Sequence, residues 1–327
     1  LPVSQPQIRV NIDGVAVAGA IAAEIEQVAH FAADRFVVTF AMQPSLNGGI
    51  LFFSALGAGR LTIEFAAQRF GYQTLLTGQI DDIRIDLLQN TAVLFGRDMS
   101  ALLIDSEIAE TFANQTSSQI AASVAARHGL SSNVTSTSTQ VGQYYELDYA
   151  KTGLGLNSYA GSEWNLLSWL AMVEGFSVSV NGTTLNFGPP VSSIPVVLTP
   201  QNFTELALDL ATGIPTTAII KSWNVRNKAV VTQSAGTGNG ANATLIRPNL
   251  TSRQAATAAS HRLAELAMHK TLLLGTMPGE LSLAPGMQLS LSGTNAPLDQ
   301  TYMIDMIRRV IDARRGFTQT IRAHAVG

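Results

Sequence analysis

The N-terminal third of the chain is a succession of short runs in which apolar and polar residues alternate, each closed by a turn. That pattern suits little other than a layered β fold. Gln7-Ile-Arg-Val-Asn-Ile-Asp-Gly14 alternates and then reaches an Asp-Gly turn. Arg35–Ala41 is rich in β-branched and aromatic residues, which fit a pleated, half-buried surface. Leu61–Ala66 alternates strictly, Tyr72–Asp86 contains two runs about Gly78, and Thr91–Gly96 closes the series. Successive side chains on a strand point to opposite faces, so each run offers one face to a core. Runs of this length in succession predict a small barrel or sandwich.

The pattern changes after Arg97-Asp98. Asp105 or Ser106 is placed to cap a short helix. Thr116-Ser-Ser-Gln119 is a capping box ahead of Ile120–His128, and Gly129 is the stop. Ser131–Gln140 reads as an exposed polar loop. Ser162–Glu174 is the clearest helix, with Trp164, Leu167, Trp169, Leu170 and Val173 near helical spacing and Gly175 at its end. Phe176–Phe187 reads as a hairpin about an Asn-Gly turn. Beyond Gly188-Pro-Pro190 the strands resume at Val196–Leu198, Glu205–Leu210 and Thr217–Asn224, and Gly236–Gly240 is read as a hairpin tip. Ser252 caps a helix running to Lys270, and Met287–Ser292, Gln300–Arg309 and Phe317–Val326 are the closing strands.

The expectation is a mainly β fold with an α+β insert: a β-barrel domain over 1–105, a small helical and hairpin module over 106–190, and a second β-barrel domain over 191–327. The two β regions share a layout. Thr74–Gly96 and Thr301–Ala325 each run from a strand through isoleucines and charges (Ile80–Asp86, Ile307–Asp312) into a second strand. A repeated order of patterns predicts two similar barrels.

Charged residues make up 13% of the chain, against about 25% in an ordinary globular protein. Thr, Ser, Asn, Gln, Ala and Gly take their place, which points to surface buried against neighbours. Strand edges without charges to repel partners point the same way. No membrane span is expected: Val15–Ile25 is interrupted by Glu24 and falls well short of the roughly 20 apolar residues a spanning helix needs. Leu1–Pro6 does not read as a secretory signal. The net charge of −3 argues against a broad basic surface for nucleic acid. The absence of cysteine removes disulfides, thiolate nucleophiles and cysteine-based zinc sites.

Few constellations suggest chemistry. His261, Glu265 and His269 lie at i, i+4 and i+8 on one face of a helix, the residue types of a metal site. The two histidines would stand about 12 Å apart along the axis, too far to share one ion, and a solvated face of helix ion pairs accounts for the spacing. Asp81 and Asp82 are adjacent on a strand and point apart, so they do not form an acid–base pair. His128 at a helix end suits the helix dipole. Gly236-x-Gly-x-Gly240 is not followed by a helix opening on the glycines, as a phosphate loop requires. No catalytic site, metal site or cofactor is expected. Two other classes stay open: a metal-dependent hydrolase using His261, Glu265 and His269, and a glycan-binding adhesin using Tyr144-Tyr145 and the tryptophans.

The order of motifs resembles a family, the baseplate hub or late-control proteins of contractile-tailed bacteriophages, to which the hub portion of type VI secretion spike proteins is related. The likeness runs through Val10–Gly14, Ala33–Phe40, Gly78–Asp82 and Phe95–Asp98. It continues in Phe112–Leu130 with Arg127-His-Gly-Leu130, then Ser162–Leu167, Glu174-Gly-Phe176, Leu283–Gly286 and Tyr302–Met306. The resemblance implies a non-enzymatic virion component assembled in the bacterial cytoplasm. It implies a homotrimer of pseudo-sixfold symmetry, since each subunit brings two similar barrels, joining a tail tube or tube-initiator protein to a central spike. Baseplate wedge proteins, and a tape-measure protein in the channel, are the further partners it implies. Barrel edges are the expected subunit contacts, with Val38 and Ile304 on candidate interface strands.

Overall fold

The computed structural model describes residues 7–29, 32–57, 59–66, 72–112, 114–138, 158–190, 194–224, 228–247, 250–268, 270–294, 297–312 and 316–326. The first β region contains β1 (Gln7–Ile12), β2 (Val15–Val17), β3 (Ala20–Val28), β4 (Arg35–Ala41), β5 (Arg60–Ala66), β6 (Tyr72–Asp86) and β7 (Thr91–Asp98). Helices α1 (Pro44–Asn47) and α2 (Gly49–Ala55) separate β4 from β5. After α3 (Ala101–Ile104) comes the insert: β8 (Glu107–Thr111), α4 (Ser117–Arg127), β9 (Ser131–Val134), β10 (Ser158–Ser162), α5 (Glu163–Glu174), β11 (Ser177–Asn181) and β12 (Thr184–Gly188). The second β region holds β13 (Val196–Leu198), β14 (Glu205–Leu210), β18 (Thr271–Pro278), β19 (Gln288–Leu291), β20 (Thr301–Asp312) and β21 (Gly316–Ala325). Between β14 and β18 stand β15 (Thr217–Asn224), β16 (Ala229–Gly236), β17 (Asn242–Ile246) and α6 (Ser252–Ala267).

The mainly β class and the α+β insert are as expected, but the pairings do not close either half into a barrel. Both halves belong to one 13-stranded sheet, ordered β14-β18-β21-β20-β3-β4-β7-β6-β5-β1-β2, with β19 on β20 and β13 on β19. The reason is the length of β20. Its first residues pair with β19, while Met306–Asp312 pair with β3. The ladder therefore continues into the other half instead of returning on itself.

Within this sheet the order of pairing occurs twice. The path β3-β4-β7-β6-β5-β1 is matched by β14-β18-β21-β20-β19-β13, and each set is met in the same order along the chain. Even the irregularities correspond: β6 shifts register against β7 between Ile80 and Asp82, and β20 against β21 between Ile304 and Met306. One pairing differs, β1 with β5 being antiparallel and β13 with β19 parallel. Each half has its own core. Val10, Ile25, Phe36, Val38, Phe40, Leu61 and Leu94 lie in the first, and Leu273, Leu289, Tyr302, Ile304 and Ile321 in the second.

Several local readings are corrected. Tyr72–Asp86 is one strand with a bulge rather than two, and Gly78 lies inside it because a Cβ there would come 2.1 Å from the Arg97 carbonyl oxygen. Asp105 ends α3 instead of starting a helix, and Glu107–Thr111 is a strand paired with β10. Ser131–Val134 forms a strand beside β12, whereas 139 and 140 lie outside the described residues. Gly236–Gly240 is no hairpin tip. It crosses the end of β15, which has β16 antiparallel on one side and β17 parallel on the other. Thr251, not Ser252, caps α6 in a capping box with Gln254, and the helix ends at Ala267.

The insert is centred on α5. Ser162 accepts from the Asn165 N–H at its start, and Gly175 ends it at φ +74°, a conformation glycine adopts without Cβ strain. Trp164, Leu167 and Leu170 are buried against α4 residues Ile120, Ala121 and Val124 and the hairpin residues Val178 and Phe187. Trp164 is 4% exposed, whereas Trp169 is half-buried. Trp164→Ala is expected to lower stability by about 3–5 kcal/mol, since the vacated volume is enclosed. Trp169→Ala is expected to cost less. Urea titrations of the two variants check the order.

Candidate functional site: the sheet joint and its open edges

Where β20 passes from β19 to β3, two consecutive arginines face opposite ways. Arg308 points outward and holds the Glu24 carboxylate with two hydrogen bonds, Nε at 2.7 Å and Nη2 at 2.8 Å. This bidentate pair spans the join between the two halves. Arg309 points inward and is 1% exposed. It donates to the Gln27 carboxamide oxygen at 2.6 Å, to the Glu280 carbonyl at 3.3 and 3.4 Å, and to the Leu283 carbonyl. Burial pulls its pKa down to about 10, so the guanidinium stays charged near neutrality.

From Gln27 the polar chain continues toward the insert. Its carboxamide N–H reaches the Leu75 carbonyl at 2.9 Å and lies 3.5 Å from Asp34. Asp34 accepts from the Val28 N–H at 2.8 Å. Asp98, at the end of β7, accepts from Ser100 Oγ at 2.5 Å and from the Ser100 N–H. Both carboxyls line a small cavity between the sheet and the insert, with Trp164, Val178 and Val180 opposite. Burial pushes Asp34 up to about 6 and Asp98 up to about 7, Asp98 being raised further by the charge of Asp34.

Two ion-pair groups hold the insert, one at its junction with the sheet and one inside it. Arg97 Nε donates to Asp81 at 2.7 Å and Arg97 Nη2 to Asp105 at 2.7 Å, which ties β6 and β7 to the segment after α3. The two carboxylates hold the guanidinium pKa above its ordinary value, and the hydrogen-bonded guanidinium holds Asp105 below the usual carboxylate range. Glu163 is fully buried and meets Arg127 and His128, while Arg127 also reaches Glu110 at 2.8 Å. His128 therefore has a carboxylate partner in addition to its place at the end of α4.

Beside this joint the sheet has open edges. Among the described residues no strand pairs with the outer side of β14. Among the described residues β5 covers β6 only from Tyr72 to Gln79, and no strand pairs with Asp82–Asp86 on that side. Exposed apolar side chains lie next to both: Leu87 and Leu88 follow β6, and Leu210 ends β14. Leu46, Ile50 and Leu51 on α1 and α2 make another exposed apolar patch.

The sequence candidates fare as follows. Glu265 is engaged by Arg262 at 2.7 Å. A side chain added at Gly175 would come within 3.7 Å of His261, which places that histidine at the end of α5. His269 lies outside the described residues, as do Tyr144 and Tyr145. Among the described residues no three metal-binding side chains gather, and no helix is long and apolar enough to cross a membrane. Val38 and Ile304 face the two cores, both fully buried, so neither side chain is available for a subunit contact. Inspection of the sequence missed Gln27, Asp34, Asp98 and Arg309 as a connected set. Arg308-Arg309 within the isoleucine and charge pattern was its one visible sign.

No protein-family model matches the chain, and no curated protein matches it by sequence. Solved structures do. A tail protein from Neisseria meningitidis MC58 superposes with a TM-score of 0.74 at 13% identity, covering 99% of this chain and 97% of that one. The 43 kDa tail protein of prophage MuSo2 from Shewanella oneidensis gives 0.73 at 16% identity, with 98% of each chain covered. An E. coli component of the type VI secretion system, described as similar to the bacteriophage T4 tail proteins gp27 and gp5, gives 0.62 at 15% identity over 97% of this chain and 77% of that one. The likeness is one of fold, and it is the fold that the sequence resemblance implies.

The two raised carboxyls set a pH dependence. Each holds its proton more tightly in the folded chain than an ordinary aspartate does, so protonation stabilises the fold. That contribution is complete below about pH 4 and is lost as the pH rises through about 6 to 7. The urea midpoint is expected to fall between pH 5 and pH 8, and Asp98→Asn to flatten the fall. A midpoint that rises over this range would contradict the assignment.

Proposed function

We propose that this chain is a non-enzymatic structural hub of a contractile, phage-like tail. In this reading residues 1–105 and 191–327 are the two hub domains and 106–190 is the insert module. Three copies form a ring of pseudo-sixfold symmetry that joins the tail tube, or its initiator protein, to a central spike. Wedge proteins of the baseplate surround it, and a tape-measure protein occupies its channel. The ring is assembled in the bacterial cytoplasm and ends in the virion.

The observation that carries this reading is the doubled strand order. One chain contributes two successive units to a single sheet, so three chains contribute six, and a ring of that kind presents sixfold spacing to one neighbour and threefold spacing to the other. The tail-protein fold of the structural neighbours supports the same reading, as does the low charge. The native mass of the purified protein tests it. A trimer stable on dilution is expected, and a monomer at every concentration, with and without tail-tube protein, would overturn it.

A further inference from the structure

We infer that copies of this chain join through a specific ladder, Asp82–Asp86 of β6 on one copy pairing antiparallel with Ala207–Ala211 in and after β14 on the next, so that Arg84 faces Asp209. This inference deepens the hub reading and rests on it for the existence of a ring. The template is the chain's own joint. Within the chain, Met306–Asp312 of β20 pair antiparallel with Ala22–Val28 of β3. By strand order β20 corresponds to β6, and β3 to β14. The two segments these equivalences select are the open edges of β6 and β14 described above.

The register follows from the pairings. The matching bulges align Asp82, Ile83 and Arg84 with Met306, Ile307 and Arg308. Phe95 and Arg322 are then equivalent, as the partners of Asp82 and Met306. So are Val37 and Leu274, which pair with them, and therefore Glu24 and Ala207, which pair with Val37 and Leu274. Counting two residues on, Glu26 corresponds to Asp209. Arg308 stands opposite Glu26 in the internal joint, so Arg84 is assigned to stand opposite Asp209.

Three features of these edges fit the assignment. The first is charge: an exposed arginine meets an exposed aspartate, as Arg308 meets the Glu24 and Glu26 side of β3. The second is facing. Ile83 and Ile85 lean on the first core, and Leu206 and Leu208 on the second, so the joined ladder has one apolar and one polar face. The third is Ile311. It comes from the second half, yet it is 4% exposed because it crosses the joint into the core of the first. Its counterpart by position is Leu87, which is 69% exposed in the single chain. A neighbouring β14 would bring the second core against Leu87 as the first core receives Ile311.

The chain has no cysteine, so disulfides can be placed against a clean background. Facing residues on antiparallel strands have Cα atoms about 4.5–5.5 Å apart, within disulfide reach. Single-cysteine proteins are mixed and oxidised: Arg84→Cys with Asp209→Cys, Ile85→Cys with Leu208→Cys, and, as an off-register control, Asp82→Cys with Glu205→Cys. Because each chain carries one thiol, a heterodisulfide can form only between copies. At least one of the first two mixtures is expected to give it efficiently, and the control is not. In the intact chain Arg84→Glu is expected to weaken assembly about tenfold or more, with recovery on adding Asp209→Arg.

A native trimer without these heterodisulfides would overturn the proposed joint and leave the trimer standing. In-register crosslinks in an assembly of some other number would support the joint and overturn the trimer. Equal crosslinking of the control would overturn the register.

Discussion

The ladder between β20 and β3 is the constraint on which the rest of the molecule depends. Without it the chain would be two β units held by a linker and an insert. With it, seven residues of one half become a strand partner of the other, and Ile311 joins a core whose other fully buried residues lie between 10 and 94. Register is strict there because a slip of one residue would exchange the inward and outward sets. Arg309 would then point to solvent and Arg308 into the core. The buried arginine is costly unless its donors are met, and the carbonyls of Glu280 and Leu283 and the Gln27 carboxamide meet them only in the observed register.

The same logic runs outward to the insert. Apolar packing fills its interior, while its junction with the sheet includes charged groups: Arg97 between Asp81 and Asp105, and Asp34 and Asp98 at a cavity wall faced by Trp164, Val178 and Val180. A polar attachment contributes less stability than an apolar one of equal area and more orientation, since each group has few acceptable partners. In a chain with 13% charged residues, the Arg97 and Arg308 ion pairs stand where one unit is set against another. The insertion of β15–β17 and α6 between β14 and β18 follows the same plan. It has a small core of its own, with Ile220, Leu250, Ala255, Ala258 and Ala259 buried.

Much of this was legible before any coordinates. Arg35–Ala41 and Glu205–Leu210 are strands over the expected residues, and the Thr116–Gln119 capping box opens its helix. These are local signals, and the local physics decides them. The misses have other causes. β3 is rich in alanine, which blurs its alternation, so a strand at the centre of the joint was noticed only as a failed membrane span. β18 is a near-continuous apolar run, which periodicity does not assign to helix or strand. The open sheet and the polar chain through Gln27 and Arg309 depend on contacts between residues some 280 positions apart, and no window of sequence contains both partners. Val38 and Ile304 lie on β4 and β20, which are paired on both sides, and their side chains face the cores, whereas an edge contact is made by the backbone of an open strand and not by the core face.

That last distinction explains how a fold of this kind persists at 13–16% identity with its structural neighbours. A joint made by a backbone ladder asks little of side-chain identity. It needs the strand to be long enough, the bulge to fall at one position, and one face to remain apolar. In this chain the bulge falls at Asp305 in β20 and at Asp81 in β6, two residues before the isoleucine that turns inward in each. In each strand the residues after the bulge stay paired with their own half on one side, and in β20 they also pair with β3 on the other. By strand order the open part of β6 and the open side of β14 are the counterparts of β20 and β3, the two strands that meet inside the chain. In the proposed assembly each copy extends the sheet by repeating that joint, and a ring closes where the twist per unit divides a full turn.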